Sequence, residues 1–245
     1  MPSFANKMHR FFTEEIQPNT AVVRGDDVKH ISRVLRLRAG DTVQLCDGRG
    51  SECEAVIESI APDAVVFSTR PWMKAKSEPD VSVTLFQCLP KAGKMETIIQ
   101  KCVELGAARF VPVQSERCVV VLKPPYEDRI ERWQRVSEEA AKQSKRGRIP
   151  EVALPQALAK LDFSAYDTVL VAYENERTVS LKQALKARPC RKIAIIVGPE
   201  GGFSEDEIGI LTEKGAVSVS LGTRILRTET AGMAMLAQIM YEVEP

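Results

Sequence analysis

Three segments of the chain read as near-continuous apolar strands: DTVLVAYE (167–174), KIAIIVG (192–198) and AVSVSLG (216–222). A strand with one face in water alternates apolar and polar residues, so runs without alternation must be covered on both faces. Helical patterns at 180–187 and 204–214 separate the three runs. Upstream, VSVTLFQCL (81–89) and RFVPVQ (109–114) read as further buried strands. KMETIIQKCVELG (94–106) has apolar residues at 95, 98, 99, 102 and 103, one helical face, and stops at Gly106. YEDRIERWQRVSEEAAKQSKR (126–146) reads as a long helix with Ile130, Trp133, Val136 or Ser137, Ala140 and Ala141 facing in. A last helix, 228–243, is apolar on almost every side. Strands alternating with helices give an α/β domain with a mostly parallel sheet and helices on both faces.

The first 70 residues have a different grain. TAVVR (20–24), DTVQLCD (41–47), ECEAVIESI (52–60) and AVVFSTR (64–70) are short strand-like runs divided by turn residues. One helix is expected at 26–36, with Ile31, Val34 and Leu35 on a shared face. Close-spaced strands with one helix suggest a small β-barrel. PWMKAKSEPD (71–80) carries two prolines and no periodic pattern. It places a boundary between a domain at 1–73 and a second at 74–245.

Composition excludes several classes. Hydrophobic residues make up 44% and charged residues 27%, the balance of a soluble globular protein. No apolar run is long enough for a membrane helix, and MPSFANKMHRFF lacks the apolar core of a secretory signal. The six cysteines are scattered and form no C-x-x-C pair, which points to a reduced, cytoplasmic protein. His9 and His30 are the only histidines, so neither a metal site nor a histidine triad is expected. Net charge is +1, yet two clusters are basic without an acid. KHISRVLRLR carries Lys29, Arg33, Arg36 and Arg38, and KQSKRGR carries Lys142, Lys145, Arg146 and Arg148. Each alone reads as a solvated helix face. Together they favour a polyanionic partner.

In open parallel sheets ligands bind beyond the carboxyl ends of the strands. Three loops fall there: AYENER (172–177), GPEGGFSEDE (198–207) and LGTRILRTETAG (221–232). In the second, Gly198, Gly201 and Gly202 are expected to allow positive φ and to leave backbone N–H groups uncovered. Ser204 and Glu207 have capping-box spacing for the next helix. The loop lacks the lysine and hydroxyl of a phosphate-binding loop, the G-x-G-x-x-G of a dinucleotide fold, and the G-x-S-x-G of a hydrolase elbow. Its acids, Glu200 and residues 205–207, disfavour a phosphate chain. In the third loop, Ile225 and Leu226 suit an apolar slot for a flat heterocycle, its edge read by backbone amides. Arg227 and Glu229 fit either a functional pair or a buried structural ion pair.

VGPEGGFSEDEI followed by LGTRILRTETA resembles the knotted SPOUT-class RNA methyltransferases, and most closely the family that methylates N3 of a uridine in 16S ribosomal RNA. HISRVLRLRAGD and DGRG resemble that family's N-terminal PUA-like barrel. KMETIIQKCVELG, SERC and EEAAKQSKRGRIPEV resemble blocks of its catalytic domain. MHRFF resembles its start, which favours Met8 over Met1 as initiator and adds Arg10 to the candidate RNA contacts. The resemblance implies a C-terminal trefoil knot, a homodimer through the C-terminal domain, and a 16S rRNA or small-subunit partner. It implies S-adenosyl-L-methionine as cofactor, held by Ala172, Tyr173, Gly198, Pro199, Glu200, Gly201, Leu221, Gly222, Ile225, Leu226, Arg227, Thr230 and Ala231. One departure stands out. The family shows Gln-Ser-Gly-Arg where this chain has Gln143-Ser144-Lys145-Arg146.

Methylating a uridine N3 requires that its proton be accepted or its anion stabilised. Arg227, Glu229, Gln143 and Arg146 are the candidates for that work, with Arg146 and Arg227 assigned to phosphate or developing negative charge. Glu200 is expected to be structural or a cofactor contact. The competing readings are an RNA-binding protein without catalysis, a nucleotide-using transferase, and a SPOUT enzyme acting on another RNA.

Overall fold

A computed structural model describes residues 8–91, 93–187 and 191–243. The choice between Met1 and Met8 turns on residues outside that set, and Cys190 also lies outside it. The chain divides into two units: residues up to Glu78 together with Ala141–Ile149, and Pro79–Ala140 together with Pro150 onward. The first unit thus takes in a segment that a single cut at 73/74 assigns to the second.

The first unit contains β1 (Arg10–Phe12), β2 (Glu15–Gln17), β3 (Thr20–Arg24), α1 (Asp26–Lys29), β4 (Thr42–Cys46), β5 (Ser51–Ile60), β6 (Ala64–Thr69) and β7 (Met73–Lys74). The strands pair in the order β1-β4-β5-β6-β3-β2, with β7 on β5. Every pairing is antiparallel except β1 with β4. Period-two alternation sends Ala21, Val23, Val43, Leu45, Val65 and Phe67 into one core. The expected helix at 26–36 is shorter and changes type. After α1 the chain makes a π-helical turn over His30–Val34, closed by the Leu35 N–H donating to the His30 carbonyl at 2.9 Å. That wider turn moves the apolar face. Val28 and Ile31 are buried, whereas Val34 is 66% exposed, against the expected shared face.

The second unit contains β8 (Ser82–Cys88), α2 (Lys94–Glu104), β9 (Arg109–Gln114), α3 (Glu127–Gln143), β10 (Glu151–Val152), β11 (Gln156–Ala157), β12 (Thr168–Ala172), α4 (Leu181–Lys186), β13 (Lys192–Val197), α5 (Glu205–Glu213), β14 (Val217–Val219) and α6 (Thr228–Val243), α3 running on past Ala140 into the first unit's residues. Its sheet has the order β10-β9-β8-β13-β12-β14, with β11 on β9, and all its pairings are parallel. β8, β12 and β13 are buried along nearly their whole length, as runs without alternation require. Helix α6 packs on α2, α4, β8 and β13 through Met235, Leu236, Ile239 and Met240. On α3 it is Ser137 rather than Val136 that turns fully inward, its hydroxyl donating to the Pro150 carbonyl at 2.6 Å. β12, β13 and β14 therefore present their carboxyl ends side by side.

Within the first unit, one buried carboxylate gathers several bonds from the segment Ala141–Ile149. Glu78 accepts hydrogen bonds from the Arg146 guanidinium (2.6 Å) and from the amides of Gly147 (2.9 Å) and Arg148 (3.1 Å). Gly147 has no room for a side chain, since a Cβ would lie 2.3 Å from the Ala75 methyl. Just before it, Lys145 stands at φ +59°, the left-handed region that glycine adopts freely. Lysine here costs about 1–2 kcal/mol relative to a glycine in the same conformation. Arg10 helps to hold it there, donating to the Lys145 carbonyl at 2.7 Å while paired with Glu52 at 2.9 Å. Removing one partner of a buried ion pair strands the other charge. Arg146→Ala is therefore expected to destabilise the protein by about 3–5 kcal/mol in denaturant unfolding. Lys145→Gly is expected to raise stability by up to about 1 kcal/mol, strain relief being partly offset by unfolded-state entropy.

Candidate functional site

Beyond the carboxyl ends of β12, β13 and β14 lies a cleft of about 510 Å³, within the size range of small-molecule sites. Its walls come from residues 172–174 and Arg177 after β12, 197–203 around the end of β13, 219–228 with Ala231, and Lys94 at the start of α2. Every residue expected to hold the cofactor lines this cleft except Thr230, which lies exposed in the first turn of α6. The sequence reading missed Lys94, Glu174, Arg177, Phe203, Arg224 and Thr228, which also line it. Lys94, Arg177, Arg224 and Arg227 bring positive charge to the walls, so the cleft is not the acidic site that residues 200–207 suggested.

The glycines of the second loop work differently from expectation. Only Gly202 has positive φ, at +65°. Each of the three is instead crowded by one of the protein's own side chains. A Cβ on Gly198 would meet the Phe203 ring at 3.1 Å, and one on Gly201 would meet Arg117 at 3.1 Å. One on Gly202 would fall 2.2 Å from a carboxylate oxygen of Glu174. Arg117 also donates to the Gly201 carbonyl at 3.1 Å. Helix α5 opens with the capping box formed by Ser204 and Glu207. Glu207 in addition accepts from the Glu116 amide at 2.7 Å, which locks the SERC segment against the loop.

The third loop is tied directly to the second through a buried hydroxyl. Thr228 Oγ1 donates to the Gly198 carbonyl at 2.6 Å and accepts from the buried Gln87 amide at 2.9 Å. Between Gly222, at φ +113°, and Thr228 the chain crosses the mouth of the cleft. Ile225 is 84% exposed there. Among the described residues, the N–H groups of Thr223, Arg224, Ile225 and Leu226 donate no hydrogen bond. These free peptide donors, beside Leu226 and Ala231, form an edge that a heterocycle's acceptors would satisfy. The arrangement fits the cofactor that the motifs imply.

Arg227 and Glu229 do not form the ion pair that one reading of the third loop offered. Glu229 pairs with Lys94 at 3.0 Å, and the same ammonium pairs with Glu200 at 3.0 Å. Glu200 also accepts from the Lys91 amide at 3.1 Å, just before Gly93, which begins α2 with no side-chain cap. The prominent acid of the glycine loop is therefore a counter-ion for Lys94 at the start of α2 and an acceptor for the turn that leads into it. A lysine in the first turn of a helix opposes the macrodipole, and that misfit is the sequence signal that marks Lys94. For Glu200, desolvation pushes the carboxyl up, but the Lys94 ammonium and backbone amides outweigh it and hold it below 4.5. Glu229 is held below 4.5 by its backbone amide and by Lys94. The two carboxylates raise Lys94 above 10.5. The cluster is complete above 4.5, the ordinary glutamate value, and below 10.5, the ordinary lysine value. It is lost as pH falls through the lowered glutamate values or rises through the raised lysine value.

The expected RNA contacts fall in the first unit and divide into two kinds. Lys29, Arg33, Arg36 and Arg38 are exposed. Lys142, paired with Asp27 at 3.2 Å across 115 residues, joins the second basic cluster to the first. Lys145, Arg148 and Gln143 also reach the surface. Arg146 does not fit the role expected of it, because its guanidinium is only 3% exposed and committed to Glu78. Arg10 is largely engaged by Lys145 and Glu52. We read both as holding the loop.

Residues 77–240 match the family model described as an RNA methyltransferase domain, and residues 23–69 the one described as an RNA methyltransferase PUA domain. The ribosomal RNA small subunit methyltransferase E of Bacillus subtilis is 35% identical over 252 residues, spanning 97% of this chain and 98% of that protein. That of Synechocystis is 36% identical over 231 residues, spanning 92% and 74%. The crystal structure of the Neisseria gonorrhoeae ribosomal RNA small subunit methyltransferase E bound to S-adenosyl methionine superposes with a TM-score of 0.81 at 31% identity, covering 96% of this chain and 98% of that one.

Lys94→Ala leaves two carboxylates facing each other, and their titration then moves up. The acid limb of the pH profile for cofactor binding, followed by calorimetry, is expected to shift to higher pH in Lys94→Ala and to stay in place in Lys94→Arg.

Proposed function

The chain belongs to the RNA methyltransferase family, and on that footing we propose that it transfers the methyl group of S-adenosyl-L-methionine to N3 of a uridine in 16S ribosomal RNA of the small subunit. The observation that carries this reading is the cleft itself. Three loops that the sequence separates by as many as fifty residues converge on one space, with free peptide donors at its edge. The gonococcal relative that binds S-adenosyl methionine supports it.

When bound, the cofactor supplies a methyl group on a sulfonium, ready for in-line displacement. The protein's part is to bind, orient and manage charge. Loss of the N3 proton leaves negative charge spread towards the O2 and O4 atoms of the uracil. Arg227 lines the cleft and forms no ion pair among the described residues, so its guanidinium is available to that charge. Glu229 is a poor proton acceptor, since Lys94 and an amide favour its ionised form. We assign it to positioning.

The exposed cations Lys29, Arg33, Arg36, Arg38, Lys142, Lys145 and Arg148, with Gln143, form the RNA-facing set in this reading. Their number in one unit of a near-neutral protein supports phosphate recognition. Our reading includes the trefoil knot of SPOUT-class chains in the stretch from β12 to α6. It also includes a homodimer through α6, whose outward face carries Thr230, Ala234, Ala237 and Tyr241, the last 86% exposed. Cytoplasmic action agrees with Cys46, Cys53, Cys88, Cys102 and Cys118 all being buried free thiols. No helix among the described residues is long and apolar enough to cross a membrane.

Mass-spectrometric mapping of 16S rRNA from a deletion strain is expected to show loss of one N3-methyluridine. The wild-type chain should restore it, and Arg227→Ala should not, its turnover falling about 10²-fold or more. An unchanged methylation map would overturn the substrate assignment. Sedimentation is expected to give a dimer, and Tyr241→Glu a monomer; a monomeric wild type would remove the dimer from this reading.

A further inference from the structure

Two carboxylates line the cleft, and only one of them is accounted for. Glu200 is committed to Lys94 and to the Lys91 amide. Glu174 forms no hydrogen bond or ion pair among the described residues. Two of its neighbours in the loop are already engaged, while Arg177, also in the cleft wall, forms no ion pair among the described residues. Glu176 accepts from the amide and hydroxyl of Thr178 at 2.6 Å each, and Asn175 donates to the Tyr173 hydroxyl at 3.2 Å.

The fold makes room for this one carboxylate. Its Oε1 lies over Gly202, where a Cβ would overlap this end of the exposed Glu174 side chain. Gly202 also needs its positive φ of +65°. Glu174 and the glycine loop thus share one wall of the cleft with Ala172 and Tyr173.

A carboxylate only accepts hydrogen bonds, at up to about four lone-pair sites. A ligand filling the cleft removes water from it, and an unmatched buried carboxylate is costly. The occupant must therefore bring donors to this point. We propose that Glu174 is a ligand of the bound cofactor, accepting hydrogen bonds from its donor groups, the ribose hydroxyl pair or the amino-acid ammonium. This assignment rests on the reading of the cleft as an S-adenosyl-L-methionine site. It concerns binding, and no proton is transferred.

Calorimetric titration of the full chain with S-adenosylhomocysteine and with 5′-methylthioadenosine tests it. The second compound keeps the ribose and lacks the ammonium. Glu174→Ala is expected to weaken S-adenosylhomocysteine about ten-fold or more, and Glu174→Gln less. Equal loss for both compounds identifies the ribose as the donor, and loss confined to S-adenosylhomocysteine identifies the ammonium. Affinities within two-fold of wild type for both would overturn the assignment, and lost methyl transfer at unchanged affinity would mark Glu174 as a proton acceptor instead. Failure of the wild type to bind either compound would overturn the cofactor reading itself and this assignment with it. Thermal melting of each variant separates a folding defect from a lost contact, and Glu174→Gln, nearly isosteric, carries the test if Glu174→Ala is unstable.

Discussion

The hydroxyl of Thr228 donates to the Gly198 carbonyl and accepts from the Gln87 amide, and the shape of the cleft depends on that chain of two bonds. Gln87 sits in β8, Gly198 ends β13, and Thr228 begins α6. A single buried hydroxyl thereby fixes a helix start to the end of a central strand. The Gln87 amide is fully buried and finds no water if the hydroxyl is lost. The loop from Leu221 to Arg227 hangs from this node at one end and from β14 at the other, and it lines the cleft between them.

A second layer of fastening surrounds the node. Lys94 draws Glu200 from the glycine loop and Glu229 from α6 onto the first turn of α2. Glu207 and Arg117 tie the segment after β9 to the same glycine loop. The glycines are small because the protein's own side chains press on them, Phe203, Arg117 and Glu174 in turn. The close approach that glycine permits is first an internal one. The cleft inherits its backbone-lined surface from that crowding.

The central strands β8, β12 and β13 were legible in the sequence because burial on both faces leaves a local mark, a run with no alternation, whereas the edge strand β14 alternates Val and Ser and the two-residue β10 and β11 carried no such mark. β13 and α6 fall where their runs predicted. The capping box at Ser204 and Glu207 was legible because all its parts lie within four residues. The helix after Arg24 was misread at Val34, since a π-helical turn changes the phase of the face and periodicity assumes a constant one. Arg146 was misread because its partner, Glu78, lies 68 residues away. A basic run looks the same whether its arginines face solvent or a buried acid.

The sequence by itself determined the α/β class of the second domain and the three loops at the strand ends, because these are written in short contiguous patterns of burial and turn chemistry, and its motifs carried the family resemblance. The tertiary structure alone decided which charges are spent and which remain available. Glu200, Glu229, Lys94 and Arg146 are held in internal pairs, while Arg227 and Glu174 stand in the cleft without an ion-pair partner among the described residues. The physical reason is that electrostatic pairing depends on distance in space, and residues on different elements come within 3 Å only after the apolar faces have packed.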